Sequence, residues 1–99
     1  MGVDPVKVER AFFVDGRLQR LPAKRAKRLV VLDRIAQEFV PGIHYSEAQV
    51  DARLKVFNDD HAALRRALID EGFLERESGV YWRSGGSYSA DLARSDRPE

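Results

Sequence analysis

Six cationic side chains lie between residues 17 and 28, and no acidic residue follows them until Asp33. They are Arg17, Arg20, Lys24, Arg25, Lys27 and Arg28. The last four come just after Pro22, where we expect a helix to begin because proline suits the first helical position. The first turn of a helix carries partial positive charge from its unpaired N–H groups, so cations there do not stabilise it. Together these N–H groups and cations predict a binding site for an anion such as phosphate. The alternative is a solvated basic face that keeps the protein soluble.

Two further arginines, Arg65 and Arg66, are adjacent in the middle of the third predicted helix. If the neighbouring leucines face the core, Arg65 lies roughly 100° to one side and Arg66 roughly 200° away, facing outward. Arginine is suited to bidentate contact with guanine or with phosphate. The alternative is a structural role in ion pairs. Arg66 would then pair with Asp70, and Arg65 with Asp60, Glu71 or the acids of the second hairpin.

The sequence shows no pattern typical of a catalytic, metal or cofactor site. It has no cysteine, which excludes disulfides and thiolate ligands. His44 and His61 are its only histidines. Although His61 follows Asp59 and Asp60, adjacent residues at a helix start point in different directions and make a poor metal cage. No nucleophile triad, glycine-rich phosphate loop or cofactor fingerprint is visible. We expect no catalytic residue, no metal, no cofactor and no enzymatic activity.

The composition is that of one small globular domain. The chain has 99 residues, of which 43% are hydrophobic and 33% are charged. Its 17 Lys and Arg against 16 Asp and Glu give a net charge of +1. An electrostatic function must therefore come from separation of charge along the chain, since residues 16–32 carry only cations. There is no long apolar run or signal-peptide-like segment, so we expect a cytoplasmic protein without membrane contact.

Turn residues and apolar spacing predict a β-hairpin, three helices and a second β-hairpin. Asp15-Gly16 between apolar residues indicates a tight turn and a hairpin at about residues 11–21. Helices are predicted over residues 23–40, from Ser46 to Asn58, and from Asp59 or Asp60 through Glu71. Ser78-Gly79 indicates the turn of the second hairpin, at residues 73–83.

This order divides the chain into an N-terminal arm (1–10), one α+β domain (11–83) and a disordered tail (84–99) rich in Gly, Ser, Asp and Arg. Three short helices followed by a β-hairpin are typical of a winged helix, whose third helix lies in the DNA major groove and whose hairpin is the wing.

Because side chains alternate across a strand, we expect Trp82 in the core and Tyr81 exposed.

Almost every predicted element contains residues that belong to a recognisable family pattern. They are Phe13, Asp15-Gly16-Arg17-Leu18, Pro22-x-Lys24-x-x-Lys27-Arg28, Leu32, Phe39, Tyr45-Ser46-Glu47-x-x-Val50, Asp60-x-x-x-Leu64-Arg65-Arg66-x-Leu68, Leu74-x-Arg76 and Tyr81-Trp82. Over residues 11–83 they resemble a bacterial family known as a domain of unknown function, number two thousand and eighty-seven. In similar proteins this domain often follows an arsenic-repressor-like winged helix, and some members are described as transcriptional regulators. The resemblance implies a regulatory setting in bacteria and supplies no mechanism.

We therefore expect a bacterial transcriptional regulator that binds nucleic acid, DNA rather than RNA, mainly through phosphates. The contacts would come from the cations after Pro22 and from Arg65 and Arg66, with Arg17 and Arg20 supporting them from the first hairpin. The alternative is a protein-interaction or dimerisation module. Its acidic third helix and second hairpin would meet the basic first helix of another copy or of a separate regulator. The segregated charge fits both functions.

Overall fold

The computed structural model describes residues 3–87, which form four helices and two antiparallel sheets. The elements are α1 (Pro5–Phe12), β1 (Phe13–Val14), β2 (Arg17–Leu18), α2 (Arg25–Ala36), β3 (His44–Ser46), α3 (Glu47–Lys55), α4 (His61–Asp70), β4 (Leu74–Glu77) and β5 (Val80–Arg83). Strands β1 and β2 form one sheet, and the other three form a second sheet in the order β3-β5-β4. The predicted α+β class is confirmed. None of these helices is long and apolar enough to cross a bilayer.

The predicted N-terminal arm contains a helix, α1. The Asp4 carboxylate accepts a hydrogen bond from the Val6 N–H at 3.0 Å, and Pro5 occupies the first helical position. Helix α1 packs along α2 and buries Val8. The interpretation as an arm was wrong, since Asp4-Pro5 is typical of a helix start and Val8 and Phe12, four residues apart, lie on one face of a helix.

The first hairpin is confirmed, with strands shorter than predicted: it spans residues 13–18 rather than 11–21. Asp15 and Gly16 have positive φ values of 52° and 80°, as a tight turn of the mirror-image type requires. The buried side chain of Leu18 fixes this hairpin to the core.

The three predicted helices are present with shorter bounds, and the starts of α3 and α4 are set by local hydrogen bonds. The Ser46 Oγ accepts from the Gln49 N–H at 3.1 Å, and the Gln49 Oε1 accepts from the Ser46 N–H at 2.8 Å. This reciprocal pair is the predicted capping box of α3. At the start of α4, the Asp60 carboxylate accepts from the Ala63 N–H at 3.2 Å.

A strand that the sequence did not predict, β3, extends the second hairpin to three strands. It pairs antiparallel with β5, with Tyr45 opposite Tyr81. Both tyrosines are buried, while His44 and Ser46 on either side of Tyr45 are exposed. With only three residues, β3 is too short for its alternation to be recognised, and it depends on pairing with a distant strand.

The core lies between α2, α3, α4 and the inner face of the three-stranded sheet. Its hydrophobic side chains that are at most 2% exposed are Leu18, Val31, Leu32, Ile35, Ala36, Phe39, Val50, Leu54, Leu64, Leu68, Leu74 and Tyr81. Helices α3 and α4 contact the sheet directly, α2 packs against α4, and α1 packs against α2.

The prediction for the two aromatic residues of β5 was wrong. Tyr81 is 1% exposed, and its hydroxyl donates to the Glu47 Oε1 at 3.0 Å. Trp82 is half-buried on the outer face, where its ring lies 5.6 Å from that of His44. Both side chains suit a core position, but a buried tyrosine also needs a partner for its hydroxyl. The inward position of Tyr81 supplies one.

The tail was predicted to begin at residue 84, but residues 84–87 make hydrogen bonds to the domain. The Ser84 N–H donates to the Phe73 carbonyl at 2.9 Å. The Ser87 N–H and hydroxyl donate to the two carboxylate oxygens of Asp33 at 2.7 and 2.8 Å. The rest of the predicted tail lies outside the described residues.

Candidate nucleic-acid interface

The outward face of α4 is set by its two buried leucines. Leu64 and Leu68 are 2% and 0% exposed, and the opposite side of the helix presents Arg66 and Asp70 to solvent. Arg66 thus lies where the helical period placed it. The alternative ion pair between Arg66 and Asp70 is not formed in the described part of the chain.

A groove of about 250 Å³ separates α4 from the hairpin of β4 and β5. Its charged lining residues are three arginines, Arg65 and Arg66 from α4 and Arg76 from β4, and one acid, Asp70. The Arg76 guanidinium donates to the Tyr81 hydroxyl at 3.3 Å, and this hydrogen bond raises the pKa of Arg76 above its ordinary value. The groove therefore combines an outward helix face with two exposed guanidinium groups, Arg66 and Arg76.

The third arginine of the groove, Arg65, is held by acids of α3. Its guanidinium pairs with the Asp51 carboxylate and lies 3.9 Å from the Glu47 Oε2. Asp51 also lies 3.3 Å from the His61 Nδ1. Arg65 thus makes ion pairs, as the structural alternative expected, but its partners are acids of α3 and not Asp60, Glu71 or an acid of the second hairpin. Arg65 joins α4 to α3 and its side chain is 21% exposed. It therefore holds the wall of the groove in place and is less accessible to a ligand than Arg66 or Arg76.

Glu71, which follows the last residue of α4, pairs with two arginines of the basic cluster. Its Oε1 lies 2.9 Å from the Arg25 Nη2, and its Oε2 lies 3.3 Å from the Arg28 Nη2. The hydrogen bond from Arg25, followed by that from Arg28, lowers the pKa of Glu71 below its ordinary value although partial burial opposes this. Two of the four cations predicted to trap an anion at the start of α2 are therefore occupied.

The other two cations at the start of α2 are lysines without such partners. Lys24 is the N-cap residue of α2, makes no side-chain capping hydrogen bond and is exposed. Lys27 is half-buried. Neither has an ion pair to any of residues 3–87.

Arg17 in β2 and Arg20, two residues after that strand, make contacts within the domain. The Arg17 Nη2 lies 3.2 Å from the Asp59 Oδ1, and its Nη1 donates to the Lys55 carbonyl at 2.9 Å. The Arg20 guanidinium lies 5.1 Å from the centre of the Phe12 ring, a cation–π contact. These two side chains fasten the hairpin to the end of α3 and to α1.

The predicted site residues thus lie in three places: in β2 and just after it, at the start of α2, and along α4. Arg76 also lines the groove and was not among the predicted site residues. The motif Leu74-x-Arg76 was the available signal, since an arginine on the inward-facing side of a strand needs a partner or a ligand. Among residues 3–87, no group of three or more His, Asp or Glu side chains is arranged to hold a metal ion.

A family model described as "uncharacterized protein conserved in bacteria" (DUF2087) matches residues 17–83. The chain belongs to this family. The match covers about two thirds of the chain, from the start of β2 to the end of β5. It confirms the family resemblance, beginning at residue 17 rather than at residue 11, and leaves α1 and β1 outside. No curated protein and no solved structure matches the chain.

Proposed function

We propose that this domain is a winged helix that binds DNA in the groove between α4 and the β4–β5 hairpin. In support, the elements follow the order α2, β3, α3, α4, β4, β5, and β3 pairs with β5. On this interpretation α4 is the groove-reading helix and the turn at Ser78-Gly79 is the tip of the wing. Helix α1 and the first hairpin are additions in front of it. Such a domain would suit a bacterial transcriptional regulator.

The observation that carries the proposal is the groove lined by three arginines beside the outward face of α4. Arg66 and Arg76 are exposed and can each present a planar guanidinium to a phosphate oxygen pair. Lys24 and Lys27 are further candidates for phosphate contact from α2, whereas Arg25 and Arg28 would first have to leave Glu71.

Duplex DNA is favoured over duplex RNA as the ligand. Helix α4 has ten residues, and the major groove of B-form DNA admits an α-helix. The major groove of A-form RNA is too narrow and deep for side chains to read.

The test is a fluorescence-anisotropy titration of labelled mixed-sequence duplexes at 50 and 200 mM salt. Each phosphate contact contributes a slope of about −0.9, so two to four contacts predict about 10- to 150-fold weaker binding at the higher salt concentration. Arg66→Gln and Arg76→Gln should each reduce the magnitude of the slope by about one. Lys7→Gln, which removes an exposed cation from α1, is the matched control. Absence of binding at 50 mM salt, or equal effects of all three variants, would refute the proposal.

A protein-interaction module is the second candidate function, and a particular surface favours it. The outer face of the three-stranded sheet carries the half-buried Trp82 and leaves Val80 36% exposed. The charge contact between copies that the sequence suggested has less support, because Glu71 already pairs with Arg25 and Arg28 of its own chain.

A further inference from the structure

The outer face of the three-stranded sheet has two rows of three residues. The first row, across β3, β5 and β4, is His44, Trp82 and Glu75; the second is Ser46, Val80 and Glu77. Because side chains alternate along a strand, these six positions lie on the face opposite Tyr45 and Tyr81, and the Ser46 hydroxyl is turned to the start of α3, which it caps. All are exposed except the half-buried Trp82. The face is a small, open surface with an apolar centre.

Its three strands differ in chemistry. Strand β4 contributes two carboxylates, β5 contributes Trp82 and Val80, and β3 contributes hydrogen-bond donors. The carboxylates of Glu75 and Glu77 have no ion-pair partner among residues 3–87. His44 provides an N–H donor in either protonation state.

We propose that this face forms a two-fold homodimer in which the β5 strands of two copies lie against each other. With the two-fold axis parallel to the strands, each row meets the same row of the second copy in reverse order. Glu75 then faces His44 of the second copy, and Trp82 faces its own equivalent at the centre. The apolar residues of β5 are buried, and each carboxylate of the first row gains a donor.

The charges select this axis over the alternative one. A two-fold axis across the strands, in the plane between the sheets, would bring β4 of one copy against β4 of the other. The carboxylates of Glu75 and Glu77 would then face each other, and like charges placed opposite one another disfavour a contact.

The second row fits the same arrangement. The Ser46 Oγ accepts the hydrogen bond of the Gln49 N–H at 3.1 Å, so its hydroxyl hydrogen is free to donate. Glu77 of the second copy lies opposite it and is an acceptor. The face is therefore complementary to a second copy of itself. The same residues supply the donor and the acceptor of each pair, as an isologous interface requires.

The dimer is expected to be weak. Three strands about 4.8 Å apart and four residues of about 3.3 Å each give a footprint of about 14 × 13 Å. Such a patch buries less than the roughly 1,200 Å² of a standard interface. We expect a dissociation constant on the order of 0.1 mM, so the dimer forms where local concentration is high.

Sedimentation equilibrium from about 10 µM to 1 mM tests the interface on the full chain without nucleic acid. His44→Glu should weaken the dimer at least about tenfold, because it places a carboxylate opposite Glu75 of the second copy. Adding Glu75→Lys to that variant should restore the wild-type constant to within about threefold. Trp82→Ala should abolish the dimer, whereas Val56→Ala, at a side chain 64% exposed elsewhere, should leave it unchanged.

Three results would overturn the inference: a monomer at 1 mM, a dimer that Trp82→Ala leaves unchanged, or a double variant that remains as weak as His44→Glu alone. Circular dichroism establishes that each variant is folded, and the charge variants lie at exposed positions where folding should be kept. The dimer is independent of the proposed DNA binding, because the two use opposite sides of the β4–β5 hairpin and are measured separately.

Discussion

Replacing Tyr81 and Trp82 with alanine should destabilise the domain to different extents, because β5 turns these neighbours to opposite faces. Tyr81 is 1% exposed, so Tyr81→Ala empties a buried aromatic site and should cost about 3–5 kcal/mol of unfolding free energy. Trp82 is half-buried on the outer face. Its truncation should cost about 1–2 kcal/mol, since only part of its surface is removed from water.

A third variant separates the ring of Tyr81 from its hydroxyl. Tyr81→Phe keeps the buried ring and loses the hydrogen bonds to Glu47 at 3.0 Å and from Arg76 at 3.3 Å. Both partners are exposed and can be hydrated instead, so the expected cost is about 1 kcal/mol.

The assay is urea denaturation followed by circular dichroism at about 10 µM, where the proposed dimer is dissociated. In thermal melts, about 1 kcal/mol lowers the Tm by about 4–8 °C in a domain of this size, so Tyr81→Ala should lower it by at least about 12 °C. The account of the sheet faces is refuted if Trp82→Ala costs as much as Tyr81→Ala.

Two further predictions concern a charged cluster and a helix cap. Glu71→Gln should lower the Tm at pH 7. The folded-state pKa of Glu71 is lowered from its ordinary value of 4.5. The stability that its carboxylate adds is therefore complete above pH 4.5 and is lost as the pH falls through the folded-state pKa. The Tm values of the wild type and the variant should converge in acid. The same variant frees Arg25 and Arg28 and should tighten DNA binding; unchanged affinity would show that the start of α2 makes no contact. Ser46→Ala removes the cap of α3 and should cost about 1 kcal/mol in denaturant titrations, and no loss would show that the capping box is dispensable.

The parts of the fold that depend on neighbouring residues could be predicted from the sequence. The turns at Asp15-Gly16 and Ser78-Gly79 adopt the positive φ angles that such pairs favour. The caps Ser46 and Asp60 start their helices through hydrogen bonds to residues three positions ahead.

The parts that depend on distant residues could not be predicted. Strand β3 exists because it pairs with β5, more than thirty residues later. Arg65 finds its partner Asp51 on another helix, 14 residues away, and Arg25 finds Glu71 46 residues away. No local pattern encodes such pairs, so a run of cations that looks free in the sequence is partly neutralised in the fold.

An NMR titration of the ¹⁵N-labelled protein with duplex DNA at low salt decides whether α4 and the β4–β5 hairpin bind DNA, because it locates the contact surface. The account predicts that the largest amide shift changes fall on the outward residues of α4, including Ala62 and Arg66, and on the turn at Ser78-Gly79. Arg66→Gln should diminish them. Saturable binding with shift changes confined to α1 and the first hairpin, or no shift changes at low salt, would contradict it.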